Sequence, residues 1–137
     1  MALSSCLRII AAGALIGLLV GCAEADTCPG DDPASIARAI ADGHAYRKHV
    51  VQSGEFSAGR RIDGLAFPLA SIDTRADFAA FIADILADPD RDKRLANRRH
   101  GYWDENTGTV VIYNARAADC GTAFRPDRGV RYYQNLN

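Results

Sequence analysis

Four cysteines limit what this chain of 137 residues can fold into, because two of them lie within or at the end of an export signal. An apolar run from Ile9 to Val20 follows a single basic residue and ends in small residues; it is too short to span a bilayer easily. Cys6 would leave with this signal, and Cys22 lies at its end. Cys28 and Cys120 then remain, and two cysteines left in an exported protein are expected to form a disulfide.

A disulfide of this span would stabilise the fold by about 3–5 kcal/mol, because it closes a long loop in the unfolded chain. It would hold the N-terminal segment against the strands near the end of the sequence. Roughly 115 residues follow the signal, enough for a single core. We therefore predict a signal peptide over 1–21, a tether over 22–31 and one domain over 32–137.

The end of the signal, Leu19-Val20-Gly21-Cys22, resembles the bacterial lipobox, in which cleavage precedes a cysteine that carries a lipid. The resemblance implies an exported lipoprotein, anchored to a membrane through Cys22 on the periplasmic or cell-surface side. Two alternatives are an ordinary signal peptide that is cut a few residues later and an unprocessed membrane anchor.

The net charge of −1 argues against bulk electrostatic capture of nucleic acid. Residues 23–90 carry 6 basic and 12 acidic side chains, whereas 91–137 carry 9 and 5. An anionic ligand would therefore bind to the C-terminal part of the domain. The alternative is that the arginines are ordinary surface residues of strands and turns. The chain lacks Cys-x-x-Cys and His-x-x-x-His spacings, so we expect neither a metal site nor a cofactor.

Two helices are predicted in the first half of the domain. Asp32-Pro33 is a helix start, and the apolar stripe of Ile36 and Ile40 continues to His44. This helix should end near Ser53-Gly54. Residues 55–72 are predicted to be a long loop with at most a short strand. The second helix follows a capping signal at Thr74, carries apolar residues at 78, 81, 82 and 85, and stops at 88–89.

The second half of the domain has the character of strands. Residues 89–99 are charged and predicted to face solvent. Four strands are then expected near 101–104, 109–113, 121–125 and 130–133, separated by turn signals. The fold class predicted from the sequence is thus α+β, with two N-terminal helices packed on a four-stranded antiparallel sheet. We expect a monomer.

The segment Gly43-His44-Ala45-Tyr46-Arg47-Lys48-His49-Val50 contains two of the three histidines. Imidazoles titrate near neutrality and suit general acid–base chemistry. On an α-helix His44 and Lys48 share a face, whereas His49 points about 140° away from His44. Together with an arginine of the 98–99 pair, Thr122, and Tyr102 or Tyr113, these residues would suit metal-free RNA cleavage, in which a base and an acid act on a phosphodiester. The alternative is that His44 is a buried core residue.

Residues 43–50 also resemble the Gly-His-Thr-x-x-Lys/Arg-His-Val motif on the first helix of RNase A-like effector domains of bacterial contact-dependent growth-inhibition toxins. The order of elements is similar to that of the wider group of toxin ribonucleases that includes barnase, colicin D and EndoU domains. The runs 72–76, 101–112 and 121–126 are also similar to toxin modules.

The resemblance implies a ribonuclease with His44 as principal acid or base, an arginine that binds phosphate, and Thr122 with Phe124 on a late strand. It further implies RNA as substrate and an immunity protein as partner. Candidate catalytic residues are His44, Lys48, His49 and Thr122; candidate substrate-binding residues are Arg98, Arg99, Tyr102, Tyr113, Phe124 and Arg125.

Two non-enzymatic alternatives stay open. In the first, an envelope lipoprotein binds a protein, peptidoglycan or an anionic polymer through Arg98, Arg99 and Arg125. In the second, the domain is a small structural part of an envelope complex.

Overall fold

A computed structural model describes residues 27–137, so the predicted signal peptide over 1–21 and the lipidation site at Cys22 lie outside the described residues. The described part is an α+β domain. Its elements, in chain order, are α1 (Pro33–Asp42), a π-helix (Tyr46–Gln52), β1 (Arg61–Ile62), β2 (Leu65–Ala66), α2 (Arg75–Ala87), β3 (Arg91–Arg94), a 3₁₀ turn (Ala96–Arg98), β4 (Arg99–Asp104), β5 (Thr109–Asn114), β6 (Gly121–Phe124) and α3 (Val130–Gln134).

The main sheet has four antiparallel strands in the order β3-β4-β5-β6, which confirms the predicted class and the number and direction of the strands. One strand differs from the prediction, because β3 belongs to the sheet and residues 130–133 do not. A separate hairpin of β1 and β2 lies in the predicted loop. The prediction that the helices all precede the sheet is wrong, because α3 follows β6.

The first helix begins as predicted and ends early. Asp32 accepts a hydrogen bond from the backbone N–H of Ser35, and Pro33 occupies the first turn. The prediction of a single helix to Ser53-Gly54 is wrong: α1 ends at Asp42, because Gly43 adopts an extended conformation with ψ of −153°. A helical turn at 44–45 then leads into the π-helix.

Side chains on both faces of the sheet are buried. On one face α1 and α2 pack over Val111 and Ala123, and four phenylalanines contribute to this core, three of them fully buried. On the opposite face Trp103, Val110 and Ile112 pack against Tyr133 of α3. Since alternate residues of a strand point to opposite faces, neighbouring positions in β5 and β6 serve different cores.

The predicted positions of the strands are wrong at two places in the second half, each for its own reason, whereas the solvent exposure predicted for residues 91–94 agrees with the structure. The charged residues 91–94 form the edge strand β3, where exposed charge is tolerated because one side of the strand has no neighbour. The predicted strand 130–133 is α3, because Val130 and Tyr133, three residues apart, both face the core over Trp103. Alternation and helical spacing are indistinguishable over so few residues.

The predicted disulfide joins Cys28 to Cys120, with their Cα atoms 5.6 Å apart. It attaches the segment before α1 to the turn before β6. The backbone N–H of Thr27 also donates to the carbonyl of Ala115, and the Tyr113 hydroxyl donates to that of Pro29. Within residues 27–137 no helix is long and apolar enough to cross a membrane.

Candidate active site

The π-helix brings the two histidines of the 43–50 segment together. Backbone hydrogen bonds here join residues five apart, as between Ser53 N–H and the Lys48 carbonyl, so residues five apart come onto one side. The ring centroids of His44 and His49 are 6.4 Å apart. The prediction that His49 points away from His44 is therefore wrong, because it assumed the turn of a regular α-helix.

His49 is the buried member of the pair. Its side chain is 9% exposed, and its Nδ1 lies 2.7 Å from Oε1 of Glu55. The other carboxylate oxygen of Glu55 accepts the backbone N–H of Arg125 at 2.8 Å. Glu55 is thus held from two sides, and it fixes the orientation of the His49 ring with Nε2 directed away from the carboxylate.

His44 is the exposed member. Its side chain is 48% exposed, which contradicts the expectation that it continues the buried stripe of α1; the break at Gly43 takes it off that stripe. Its Nδ1 lies 2.5 Å from Oδ2 of Asp119. The close approach requires glycine at position 43, because a Cβ there would lie 2.7 Å from Cβ of Asp119.

Aromatic rings extend from His49 along β6, the other edge strand of the sheet. The Phe124 ring stacks on His49 with centroids 5.1 Å apart, and Tyr132 of α3 meets Phe124 edge-on at 5.3 Å. We call the open cavity here, about 380 Å³ in volume, the histidine cleft. Its lining residues are His49, Glu55, Phe124, Arg125, Pro126, Asp127, Arg128 and Tyr132. His44 is not among them; its ring centroid lies 6.4 Å from that of His49.

Of the two arginines that line the cleft, only one is available to a ligand. Arg125 is 2% exposed, and its guanidinium donates to the carbonyls of Glu55, Arg60, Leu65 and Thr107. Burial lowers the pKa of Arg125, and the Glu55 carboxylate opposes part of that change. Arg125 therefore has a structural role: its hydrogen bonds hold residues 55–66 against the end of β6. Arg128, by contrast, is exposed.

Lys48 and Thr122 lie near the cleft without lining it. Lys48 is exposed on the π-helix. Thr122 lies two residues before Phe124 in β6, on the same face of the sheet, and its hydroxyl is buried with no hydrogen-bond partner among the described residues. Their predicted catalytic roles stay predictions.

The remaining predicted binding residues lie elsewhere, in a cavity of about 520 Å³ that we call the basic groove. Arg98, Arg99, Tyr102 and Tyr113 line it. Tyr102 pairs with Val111 in the sheet and Phe124 pairs with Val110, so Tyr102 and Phe124 belong to opposite faces. The structure thus divides the predicted binding residues between two cavities, with Phe124 and Arg125 in the cleft and the other four in the groove.

Sequence reasoning missed Glu55, Arg128 and Tyr132 among the polar and aromatic residues that line the histidine cleft, and it missed Asp119, which contacts His44. A signal was present for Asp119, because the predicted disulfide at Cys120 places its neighbour near the start of the domain. A weaker one existed for Glu55, six residues after His49. Arg128 and Tyr132 depended on recognising α3.

Within residues 27–137 no three His, Cys, Asp or Glu side chains are grouped so that they could hold a metal ion. The polar groups that the cleft offers to a reaction are imidazoles, carboxylates, a phenol and a guanidinium. Comparisons with protein-family models, with curated proteins and with solved structures found no match for this chain.

Proposed function

We propose that this protein is a metal-independent ribonuclease that cleaves RNA by attack of the 2′-hydroxyl on the neighbouring phosphodiester. One observation carries the proposal: His44 and His49 lie 6.4 Å apart, and each ring uses Nδ1 to contact a carboxylate. Nε2 of each ring has no partner among the described residues. Two oriented imidazoles with free nitrogens are the groups that a reaction with one proton to remove and one to supply requires.

In the proposed reaction one imidazole takes the proton of the 2′-hydroxyl as its oxygen bonds to phosphorus. The other gives a proton to the 5′-oxygen as the bond between that oxygen and phosphorus breaks. The products are a 2′,3′-cyclic phosphate and a free 5′-hydroxyl, so the number of protons balances. Asp119 and Glu55 hold the rings and stabilise whichever imidazole is charged.

Two further groups support a phosphodiester substrate. Arg128 is an exposed cation in the cleft lining and would bind the non-bridging phosphate oxygens, whose charge grows in the transition state. Tyr132 and Phe124 offer aromatic surface on which an unstacked base can lie. The resemblance of residues 43–50 to toxin ribonucleases, and with it an immunity partner, is consistent with this proposal.

We further propose that the protein is exported and anchored through a lipid on Cys22. The disulfide between Cys28 and Cys120 supports export, because disulfides persist in oxidising compartments. Mass spectrometry of protein from the membrane fraction would detect the lipid; Cys22→Ala should release the protein and leave its melting temperature unchanged.

The experiment that tests the enzyme uses purified full chain with its disulfide intact, in the presence of a chelator, and a short labelled RNA. Cleavage with 2′,3′-cyclic ends is expected, and a strand with deoxyribose at the scissile position should be inert. His49→Gln and His44→Ala should each lower kcat by about 10²–10⁴-fold, the usual contribution of one acid or base.

Val51→Ala is the matched control, because Val51 lies in the same π-helix and is 62% exposed. It should leave kcat unchanged. Thermal melting of each variant separates a chemical effect from unfolding. The proposal fails if the RNA stays intact with folded wild-type protein, or if cleavage survives in both histidine variants.

A further inference from the structure

The basic groove lies at the end of the sheet where β3 turns into β4. Its walls also include Pro33 and Ile36 of α1 and Leu86 of α2, on the face opposite Phe124. Its volume of about 520 Å³ is within the range of small-molecule sites, roughly 300–1,000 Å³. A ligand bound there would not contact His44 or His49, so the proposed ribonuclease chemistry does not account for this groove.

Positive charge dominates the groove lining. Arg94, Arg98 and Arg99 contribute guanidinium groups, and Asp31 a carboxylate. Arg99 donates to the carbonyls of Ala96 and Asn137, which fixes its position. The Arg94 side chain is exposed and has no ion pair or hydrogen bond within the described part of the chain. A guanidinium in this state can take both oxygens of a phosphate.

The backbone that carries these arginines adopts an uncommon conformation. Asn97 and Arg98 have φ of 59° and 60°, the left-handed region that side chains other than glycine rarely enter. This conformation is unfavourable for both residues, so the surrounding structure must hold them in it. This turn connects Arg94 with Arg99, so three arginines that line the groove lie within six residues of the chain.

Aromatic side chains form another part of the groove. The His100 ring stacks on Tyr102 with centroids 4.6 Å apart and an interplanar angle of 16°, and Nε2 of His100 lies 2.7 Å from Asp92. Burial raises the pKa of Tyr102, assisted by Asp92, so its hydroxyl stays protonated as a donor. That hydroxyl has no hydrogen-bond partner among residues 27–137.

We propose that the basic groove is a second binding site, separate from the histidine cleft, and that its ligand is a nucleotide unit. The phosphate would contact Arg94, Arg98 and Arg99, and the base would lie against the stacked His100 and Tyr102 pair. The unit is either a free nucleotide or one nucleotide of a single-stranded RNA, since both present the same phosphate and planar base.

The test measures binding to the full chain by calorimetry, with adenosine 5′-monophosphate as the probe. This probe has no internucleotide bond, so the result does not depend on catalysis in the cleft. We expect saturable binding, weaker binding of adenosine or inorganic phosphate alone, and shifts of the His100 and Tyr102 ring signals in NMR spectra.

Arg94→Ala should weaken binding of the probe by about tenfold, the usual loss for a charged hydrogen bond to phosphate. Arg61→Ala is the matched control: Arg61 is an exposed arginine of the β1–β2 hairpin that donates to the carbonyl of Gly64. It should bind the probe as wild type does.

An oligodeoxyadenylate, which the proposed chemistry cannot cleave, distinguishes the two sources. Binding that is tighter than that of the monophosphate and equally sensitive to Arg94→Ala indicates a strand; equal affinity indicates a free nucleotide. The inference is overturned if the monophosphate does not bind, if its affinity is the same in Arg94→Ala, or if only vesicles of phosphatidylglycerol bind in an Arg94-dependent way.

Discussion

In the histidine cleft each imidazole contacts a carboxylate, whereas in the basic groove the guanidinium of Arg94 has no partner within residues 27–137. Both cavities are open and carry arginine, histidine and tyrosine, so composition alone does not separate them. The difference lies in the number and spacing of these groups: two carboxylate-bound imidazoles lie 6.4 Å apart at the cleft, whereas the groove has one such imidazole, His100, beside three guanidinium groups. Fixed rings suit a reaction that needs exact proton positions, and an unpaired cation suits a ligand that brings the opposite charge.

The largest expected effect comes from removing the covalent link that both regions share. Cys28 precedes Gly30 and Asp31, which line the groove, and Cys120 follows Asp119, which holds His44. The double variant Cys28→Ser, Cys120→Ser should lose about 3–5 kcal/mol in the free energy of unfolding. Urea denaturation of both proteins measures the loss, and equal midpoints would contradict the prediction.

The next largest expected effect is on kcat, and it distinguishes the role of His49 from that of His44. Glu55→Gln should lower kcat by about 10²-fold and Asp119→Asn by about tenfold, because His49 is buried with its carboxylate while His44 remains in contact with water. Steady-state kinetics at saturating RNA gives both values. A larger loss of kcat in Asp119→Asn would contradict this order and mean that His44 with Asp119 contributes more to catalysis than His49 with Glu55.

The smallest effect distinguishes the cations of the two cavities. Arg128→Ala should raise KM for RNA several-fold and reduce the slope of log KM against log salt by about 0.7, the value for one phosphate contact on a single strand. It should leave binding of adenosine 5′-monophosphate in the groove unchanged. Arg94→Ala should give the reverse pattern for the monophosphate. Identical behaviour of the two variants would mean that the cavities are one site.

The parts of the fold that could be predicted from the sequence are those with strong local signals. The cap at Asp32, the periodic apolar residues of α2 and the β-branched run of β5 each specify their element without help from distant residues. The cysteine pair specified a long-range contact, because the predicted export signal leaves only Cys28 and Cys120 to form a disulfide.

The π-helix was beyond such reasoning. Its i→i+5 bonds are weakly encoded in the local sequence, and they depend on the early end of α1 at Gly43, where Asp119 packs from 76 positions further along the chain. Since the pairing of His44 with His49 follows from this helix, the assumption of a regular α-helix gave the two rings the wrong relative orientation. An interaction of this kind requires the tertiary structure.

The same limit applies to the arginines. Residue type suggested that Arg98, Arg99 and Arg125 bind one anion, yet Arg125 is the buried centre of a network of backbone carbonyls. The sequence alone does not distinguish an arginine whose guanidinium donates to loop carbonyls from one whose guanidinium is available to bind a phosphate. Burial decides between the two, and burial of a single arginine depends on loops from several parts of the chain.

The position of Cys120 beside Asp119 has a consequence for the cell that makes this protein. In a reducing cytoplasm the cysteines stay as thiols, the turn before β6 loses its attachment to the N-terminal segment, and His44 loses a firmly placed carboxylate. We expect newly made chains to be poor nucleases until they leave that compartment. On the proposed function and the proposed export, a producing cell would be spared damage to its own transcripts, because oxidation after export would complete the active form.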